Sequence, residues 1–206
     1  MSLEGRRFEN SDQMNEGRIN LSVESNGSPI RWPESPLEFR KDEFVVYPAH
    51  GVGQISAIEV QTVAGTSLEF FVIYFAKSKM RARVPTRKAA SIGIRKLSSP
   101  TALAQARQIL SQAAPRTRIN WARLTKEYEA KLKSGDILAL AEVMRDLHRR
   151  PNEPEQSFSE RQFYATALDR LSGEVALVDQ IAEDKAVLEL EGLLMSRAGR
   201  ASPGRR

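Results

Sequence analysis

Cysteine is absent from the 206 residues of this chain. Disulfide bonds, thiol catalysis and cysteine-ligated zinc are therefore excluded. Histidine is also scarce. His50 and His148 are the only two and lie in different halves of the sequence, so neither a zinc site nor a Ser-His-Asp site has support. We expect His50, between Pro48 and Gly51, to be a turn residue. We also expect a protein that is not an enzyme and uses no cofactor.

Long hydrophobic runs are missing too. No apolar stretch approaches the length that spans a bilayer, and residues 1–7 lack the apolar segment of a secretory signal. Hydrophobic residues make up 41% and charged residues 28%, a balance typical of a globular protein in water. These features favour a cytoplasmic protein with no membrane partner.

Acidic residues are missing from one segment of the chain. Residues 76–96 carry eight basic side chains and no acidic one, and residues 116–150 carry nine basic and five acidic side chains. A polyanion or an acidic protein surface could bind such positive regions. The alternative is that both are ordinary solvated surfaces.

Residue types change sharply along the chain and predict its organisation. Residues 1–38 are polar and contain three prolines, so we expect a disordered tail, in which Trp32 is either a docking point or an incidental contact. The segment 39–98 is predicted to form a β domain, 99–196 a helical domain, and 197–206 a disordered basic tail.

The β domain is predicted from short β-branched and aromatic segments separated by turn residues. Because no helix separates them, they indicate a small antiparallel barrel. The predicted strands are Phe44–Tyr47, Gln54–Val60, Leu68–Phe75 and Met80–Val84, with a short fifth at Ile92–Arg95.

The helical domain is predicted from apolar periodicity and capping residues after Ser98. About five helices are expected, and the whole fold is therefore α+β with two domains. The first predicted helix runs from Pro100 to about Ser111, with Ser99 as its cap. The second begins after the cap Asn120 and the third after the cap Asp136. The fourth runs from a Ser159/Gln162 capping box to about Ile181, and the fifth covers Ala186–Met195.

Trp121 lies among arginines where the second of these helices begins. A flat ring on a cationic surface can stack on bases or wedge between them, which suggests nucleic acid before it suggests catalysis. The alternative is a core position, since Trp121 continues the apolar stripe of Leu124, Tyr128 and Leu132.

Both halves of the chain resemble one family, the CarD/CdnL bacterial transcription regulators, over roughly residues 39–195. The first half carries a Val-Val-Tyr-Pro-x-His-Gly element at 45–51, which a transcription–repair coupling factor shares in related form, and Arg83-Val84-Pro85. The helical half carries Asn120-Trp121, Lys131-Leu132-x-Ser134-Gly135-Asp136, and the segment 141–150. Order and spacing both match what that family shows.

The resemblance implies a Tudor-like barrel that docks on the β subunit of RNA polymerase. It also implies a helical domain at the upstream edge of melted promoter DNA, where Trp121 enters the minor groove and props the bubble open. Arg83 is the docking arginine by this resemblance, and Arg81 shares its face by strand alternation. Where some relatives have a further polymerase-contacting arginine, this chain has Gln61, which could shift docking toward Arg81, Arg83 and Lys79.

Basic residues around Trp121 are expected to contact phosphates. Arg118, Arg123 and Lys126 would position the ring without reading sequence, although an ordinary basic helix face, with Lys126 beside Glu127 and Glu129, is the alternative. Asn120 either touches DNA or caps the helix.

One further acidic pair could suggest chemistry. Glu142 and Asp146 lie one helical turn apart, but we interpret them as solvent-facing partners of Arg145, Arg149 and Arg150.

Three functions stay open at this point. The first is a monomeric regulator that binds polymerase and largely sequence-independent promoter DNA, stabilises open complexes and is associated with the nucleoid through polymerase. The second is a structure-selective DNA-binding protein that works without polymerase. The third is a polymerase-bound scaffold that recruits another protein.

Overall fold

A computed structural model describes residues 39–63, 65–114, 121–149 and 155–200, with no account of the side chains of Val63, Trp121 and 197–200. The predictions for the tail 1–38 and for Arg118, Asn120 and 201–206 lie outside these ranges. The described residues belong to a single compact unit.

The β domain is one five-stranded antiparallel sheet with the order β4-β3-β2-β1-β5. All four main strands occur where the sequence predicts them. The bounds are β1 Phe44–Tyr47, β2 Gly51–Val63, β3 Thr66–Phe75, β4 Met80–Pro85 and β5 Arg95–Lys96.

Several strand bounds differ from the prediction, most of all in β2 and β5. β2 begins at Gly51 rather than Gln54, because Gly51 and Gly53 continue the pairing with β1. The predicted fifth strand is wrong at its start. Ala89–Ile92 form a helical turn, α1, which ends at Gly93 with a φ of 86°, so β5 begins only at Arg95.

One face of the sheet forms a hydrophobic core of its own. Alternation along β3 buries Phe71, Ile73 and Phe75 on that face. They pack with Phe39, Val45, Ile55, Val84, Ala89 and Ile94. The core explains the abrupt change of residue types at Phe39, which is itself buried.

Five longer helices follow, and the α+β fold is confirmed. Ser99 caps the first and Asp136 the third, each through a side-chain oxygen that accepts from a backbone N–H in the first turn. The helices are α2 Pro100–Ser111, α3 Trp121–Ser134, α4 Ile137–Leu147, α5 Phe158–Val178 and α6 Glu183–Arg200.

The last two helices correct the prediction. The capping box of α5 consists of Ser157 and Glu160, not Ser159 and Gln162. Both pairs have the required spacing, but the Glu160 carboxylate accepts from the Ser157 backbone N–H and also binds Arg149 at 2.5 Å. Helix α6 starts before Ala186 and continues to Arg200, so residues 197–200 are helical and do not belong to a disordered basic tail.

Candidate binding surfaces

The sheet face opposite its core carries an apolar row bordered by charges. In register across the sheet, Val72 of β3 pairs with Arg83 of β4, and Tyr74 pairs with Arg81. On the other side of β3, Gln61 of β2 pairs with Leu68, and Glu59 with Phe70. We call the eight side chains on these alternate positions the outer sheet face: Glu59, Gln61, Leu68, Phe70, Val72, Tyr74, Arg81 and Arg83.

The two arginines of the outer sheet face are exposed and loosely held. The Arg83 guanidinium lies 3.5 Å from the Glu59 carboxylate, which also accepts from the Gln61 amide at 3.4 Å. The Arg81 guanidinium carbon lies 5.8 Å from the centre of the Tyr74 ring. An exposed ion pair contributes about 0–1 kcal/mol, so either arginine can exchange these contacts for an acidic partner at little cost.

The structure therefore brings together three of the four residues predicted for polymerase docking. Gln61, Arg81 and Arg83 share one face; strand alternation predicts this for Arg81 and Arg83, and the register with β3 adds Gln61. Lys79 does not belong to this ladder. It lies in the turn before β4, exposed and with a φ of 54°.

The start of α3 is described only in part. Trp121 is its first residue, and the helix carries the predicted apolar stripe, with Tyr128 and Leu132 in the helical core and Leu124 packed against it. Arg123 and Lys126 are both exposed.

The acidic neighbours on α3 pair with later lysines. Lys131 Nζ lies 2.8 Å from Glu127 and 3.0 Å from Glu142, and Lys133 lies 3.6 Å from Glu129. The hydrogen bond from Lys131 lowers the pKa of Glu127. Among the ion pairs of the described residues, none includes Lys126, and the alternative of an ordinary basic helix face stays open.

The pair Glu142 and Asp146 also differs from expectation. Asp146 does bind Arg145, at 2.8 Å, but both side chains are mostly buried rather than solvent-facing. Glu142 pairs with Lys131 and with none of the described arginines. Across the described ranges, no group of three or more potential ligands could hold a metal ion.

Within the described ranges, an extensive polar site lies at the junction between the sheet and the helices, which sequence reasoning missed. Arg95 of β5 donates to both oxygens of the Glu174 carboxylate of α5, at 2.7 and 2.8 Å. It also donates to the carbonyl of Gly135, between α3 and α4, at 2.6 and 3.1 Å. Glu174, only 1% exposed, further accepts from the Ser98 backbone N–H at 2.7 Å.

Residues of the sequence motifs meet at this same junction. Arg170 of α5 donates to the carbonyl of Ala49, in the turn after β1, at 3.2 Å and to that of Leu132 at 2.7 Å. Pro48 lies so close to Gly135 that a Cβ there would stand 3.0–3.1 Å from three atoms of the proline. The Pro-x-His-Gly turn and the Ser-Gly-Asp turn are therefore contact points between the two halves.

His50 is confirmed as a residue of that turn. Its backbone N–H donates to the Tyr47 carbonyl at 3.0 Å, and its ring lies 5.1 Å from the Tyr47 ring and 5.3 Å from the Phe75 ring.

A cleft of about 1130 Å³ adjoins the junction between the sheet and α5. Gln54, Tyr74 and Lys77 line one side, and Thr166 and Asp169 line the other. The cleft thus continues from the Tyr74 end of the outer sheet face. Lys77 spans it, since its ammonium group binds both Asp169 and Glu183.

No described helix has the length and apolar character needed to cross a membrane.

Comparison with known proteins matches each half separately. A family described as the CarD-like/TRCF RID domain matches residues 39–98, and one described as the CarD C-terminal domain matches residues 105–191. The putative transcription factor YdeB of Bacillus subtilis (strain 168) is 31% identical over 145 residues, covering 70% of this chain and 95% of the relative. The solution NMR structure of the 72-residue N-terminal domain of Myxococcus xanthus CarD is similar at 30% identity, covering 42% of this chain and 93% of that chain, with a TM-score of 0.25.

Fold and matches together define a two-part transcription factor, in which a Tudor-like antiparallel sheet precedes a helical domain. The matched regions cover most of the chain, and their order along it is that of the observed sheet and helices. The chain belongs to the CarD family.

Proposed function

We propose that this protein docks on the β subunit of RNA polymerase through the outer sheet face and stabilises promoter open complexes through the start of α3. It acts by binding, without catalysis, in the cytoplasm at the nucleoid. The observation that carries the proposal is the outer sheet face, an apolar and aromatic row with two exposed arginines beside it. Aromatic residues and arginine are the types enriched where proteins bind one another.

The charge of this region suits an acidic partner. Residues 76–96 contain no acidic side chain, and the Glu59 carboxylate is engaged by Arg83 and Gln61. A partner carboxylate can take the place of Glu59 and form a bidentate pair with the Arg83 fork.

The DNA contact is proposed for Trp121 and the cations near it. Arg123 and Lys126 are exposed on the first two turns of α3 and could hold phosphates. Inserting the ring at a DNA fork that is already distorted costs less free energy than inserting it into intact duplex, where unstacking takes a few kcal/mol per step. Because the protein would bind the open state better than the closed one, it would shift that equilibrium toward the open complex.

Docking is tested by Arg83→Glu. Reversing this charge beside the apolar row of the outer sheet face should cost about 2 kcal/mol or more, a loss of roughly 30-fold in affinity. The measurement is association of the full chain with core RNA polymerase, by co-purification and by titration. Lys126→Glu, a charge reversal on α3, is the control and should leave this affinity unchanged.

Three results would contradict or redirect the docking proposal. Equal affinity of Arg83→Glu and the parent protein would refute the assignment of the face. Failure of the parent to bind polymerase would refute docking altogether. Tight binding of the parent to forked DNA without polymerase would then favour a structure-selective DNA-binding protein.

The wedge is tested by Trp121→Ala. The lifetime of the open complex should fall while the affinity for polymerase stays nearly that of the parent. Phe158→Ala, which removes an exposed aromatic ring from the start of α5, is the matched control and should change neither quantity. An unchanged lifetime with Trp121→Ala would contradict the wedge and favour recruitment of another protein.

A further inference from the structure

One guanidinium group, that of Arg95, makes four of the hydrogen bonds that cross the junction between sheet and helices. Arg95 has only two polar neighbours within its own strand and the following turn, the Lys96 carbonyl at 3.0 Å and the Ser98 hydroxyl at 3.2 Å. Its remaining bonds cross to the helical domain, where they reach Gly135 and Glu174. A single residue of β5 thus holds the turn between α3 and α4 and the middle of α5 at once.

We infer that Arg95, Glu174 and Gly135 form a clamp that fixes the orientation of the helical domain relative to the sheet, so that the start of α3 is held at a set position from the docked outer sheet face. Arg95 is a positioning residue, since it belongs neither to the outer sheet face nor to the start of α3. The functional part of this inference rests on the proposed function, whereas the mechanical part does not.

Burial distinguishes this clamp from the Lys77 bridge across the same junction. The Glu174 side chain is 1% exposed and receives three hydrogen bonds. Loss of a bond to a buried charge is expensive, because water cannot replace it. The Lys77 bridge to Asp169 and Glu183 is exposed on both sides and is therefore easily replaced by water.

The geometry of Arg95 makes the substitution by lysine informative. Its planar fork reaches the Gly135 carbonyl and both Glu174 oxygens simultaneously, which a single ammonium group cannot do. Arg95→Lys keeps the positive charge beside the buried carboxylate, so the protein should fold. Arg95→Ala is the stronger variant, and far-ultraviolet circular dichroism confirms that each variant is folded.

Arg107 supplies a matched control. It is 27% exposed, close to the 29% of Arg95, and it also binds two carboxylates, those of Asp179 and Glu189. Both of these partners belong to the helical domain. Arg107→Lys therefore removes a similar guanidinium group and leaves the contacts of the junction unchanged.

The mechanical part is tested by distances between spin labels in the free protein. The chain has no cysteine, so labels attach only at two introduced positions, Val60→Cys on the sheet and Leu188→Cys on α6, which are 68% and 69% exposed. The parent and Arg107→Lys should give one narrow distance distribution. Arg95→Lys should broaden it, and Arg95→Ala should broaden it further. An unchanged distribution in both Arg95 variants overturns the clamp.

The functional part is tested with polymerase saturated by the protein. Arg95→Lys should bind polymerase as the parent does and shorten the open-complex lifetime about threefold to tenfold, as expected when the competent orientation is populated only in part. Arg107→Lys should leave the lifetime unchanged. If the distances broaden and the lifetime does not fall, the positioning role is refuted. If the parent itself does not lengthen the open-complex lifetime, the proposed function is refuted. The distance distributions still test whether Arg95 fixes the orientation of the helical domain.

Discussion

Gly135→Ala tests the contact between the two motif turns and should be strongly destabilising. Gly135 has a φ of 66°, in the left-handed region, where a side chain costs about 1–2 kcal/mol. The added Cβ would also lie 3.0–3.1 Å from Cα, Cβ and Cγ of Pro48. The proline ring and backbone cannot rotate away, so overpacking adds about 1–3 kcal/mol. The total is about 2–5 kcal/mol.

Gly65→Ala separates the two contributions. Gly65 has a φ of 78°, but a Cβ added there would meet nothing within 4 Å, so only the backbone cost of about 1–2 kcal/mol should appear. Urea unfolding followed by circular dichroism gives both free energies, and a chain of this size loses about 2–4 °C in Tm per kcal/mol. If Gly135→Ala costs no more than Gly65→Ala, Pro48 does not press on this turn and our account of the junction is incorrect.

Two further predictions concern the helices. Gly173→Ala and Gly192→Ala fall inside α5 and α6 with open space around the added Cβ, and each should raise the free energy of unfolding by about 0.5–1 kcal/mol in the same urea assay; a decrease would reveal a packing role for the glycine. Burial raises the pKa of Glu160, but the bonds from Ser157 and Arg149 outweigh it and the net direction is downward from 4.5. The stabilisation that the ionised Glu160 carboxylate gives the fold is therefore complete above pH 4.5, and it is lost as the pH falls through the lower pKa of the folded state. Glu160→Gln should have a smaller free energy of unfolding than the parent at about pH 7, and nearly the same free energy of unfolding at the acid end of the titration. Exposed Glu155→Gln is the control, and a pH-independent difference for Glu160→Gln would contradict the capping-box account.

Local signals in the sequence predicted most elements correctly. The strands β1, β3 and β4 and the helix α2 match because alternation, turn residues and the Ser-Pro cap act over a few neighbouring residues. The error at α5 arises where two serine-based boxes overlap. Besides the reciprocal bonds of Ser157 and Glu160, the box that forms is supported by the ion pair of Glu160 with Arg149, eleven residues away.

The candidate surfaces were predicted unevenly for a similar reason. Alternation alone places Arg81 beside Arg83, whereas the junction escapes sequence reasoning because Arg95 and Glu174 are 79 positions apart. Nothing in the spacing of either residue indicates a partner. In the sequence, Arg95 is one of eight cations in a basic segment, and only the fold shows that its bonds cross to α5.

The junction also limits how members of this family could be recombined. Each half supplies one side of the contacts described for it, among them Pro48, Ala49 and Arg95 from the sheet half, and Gly135, Arg170 and Glu174 from the helical half. A chimera that joins the sheet half of one protein to the helical half of another therefore combines two junction surfaces that do not match. We expect grafting to succeed only when the junction residues of both halves are carried over together. The junction, rather than the chain segment near residue 98, is therefore the boundary that matters for engineering.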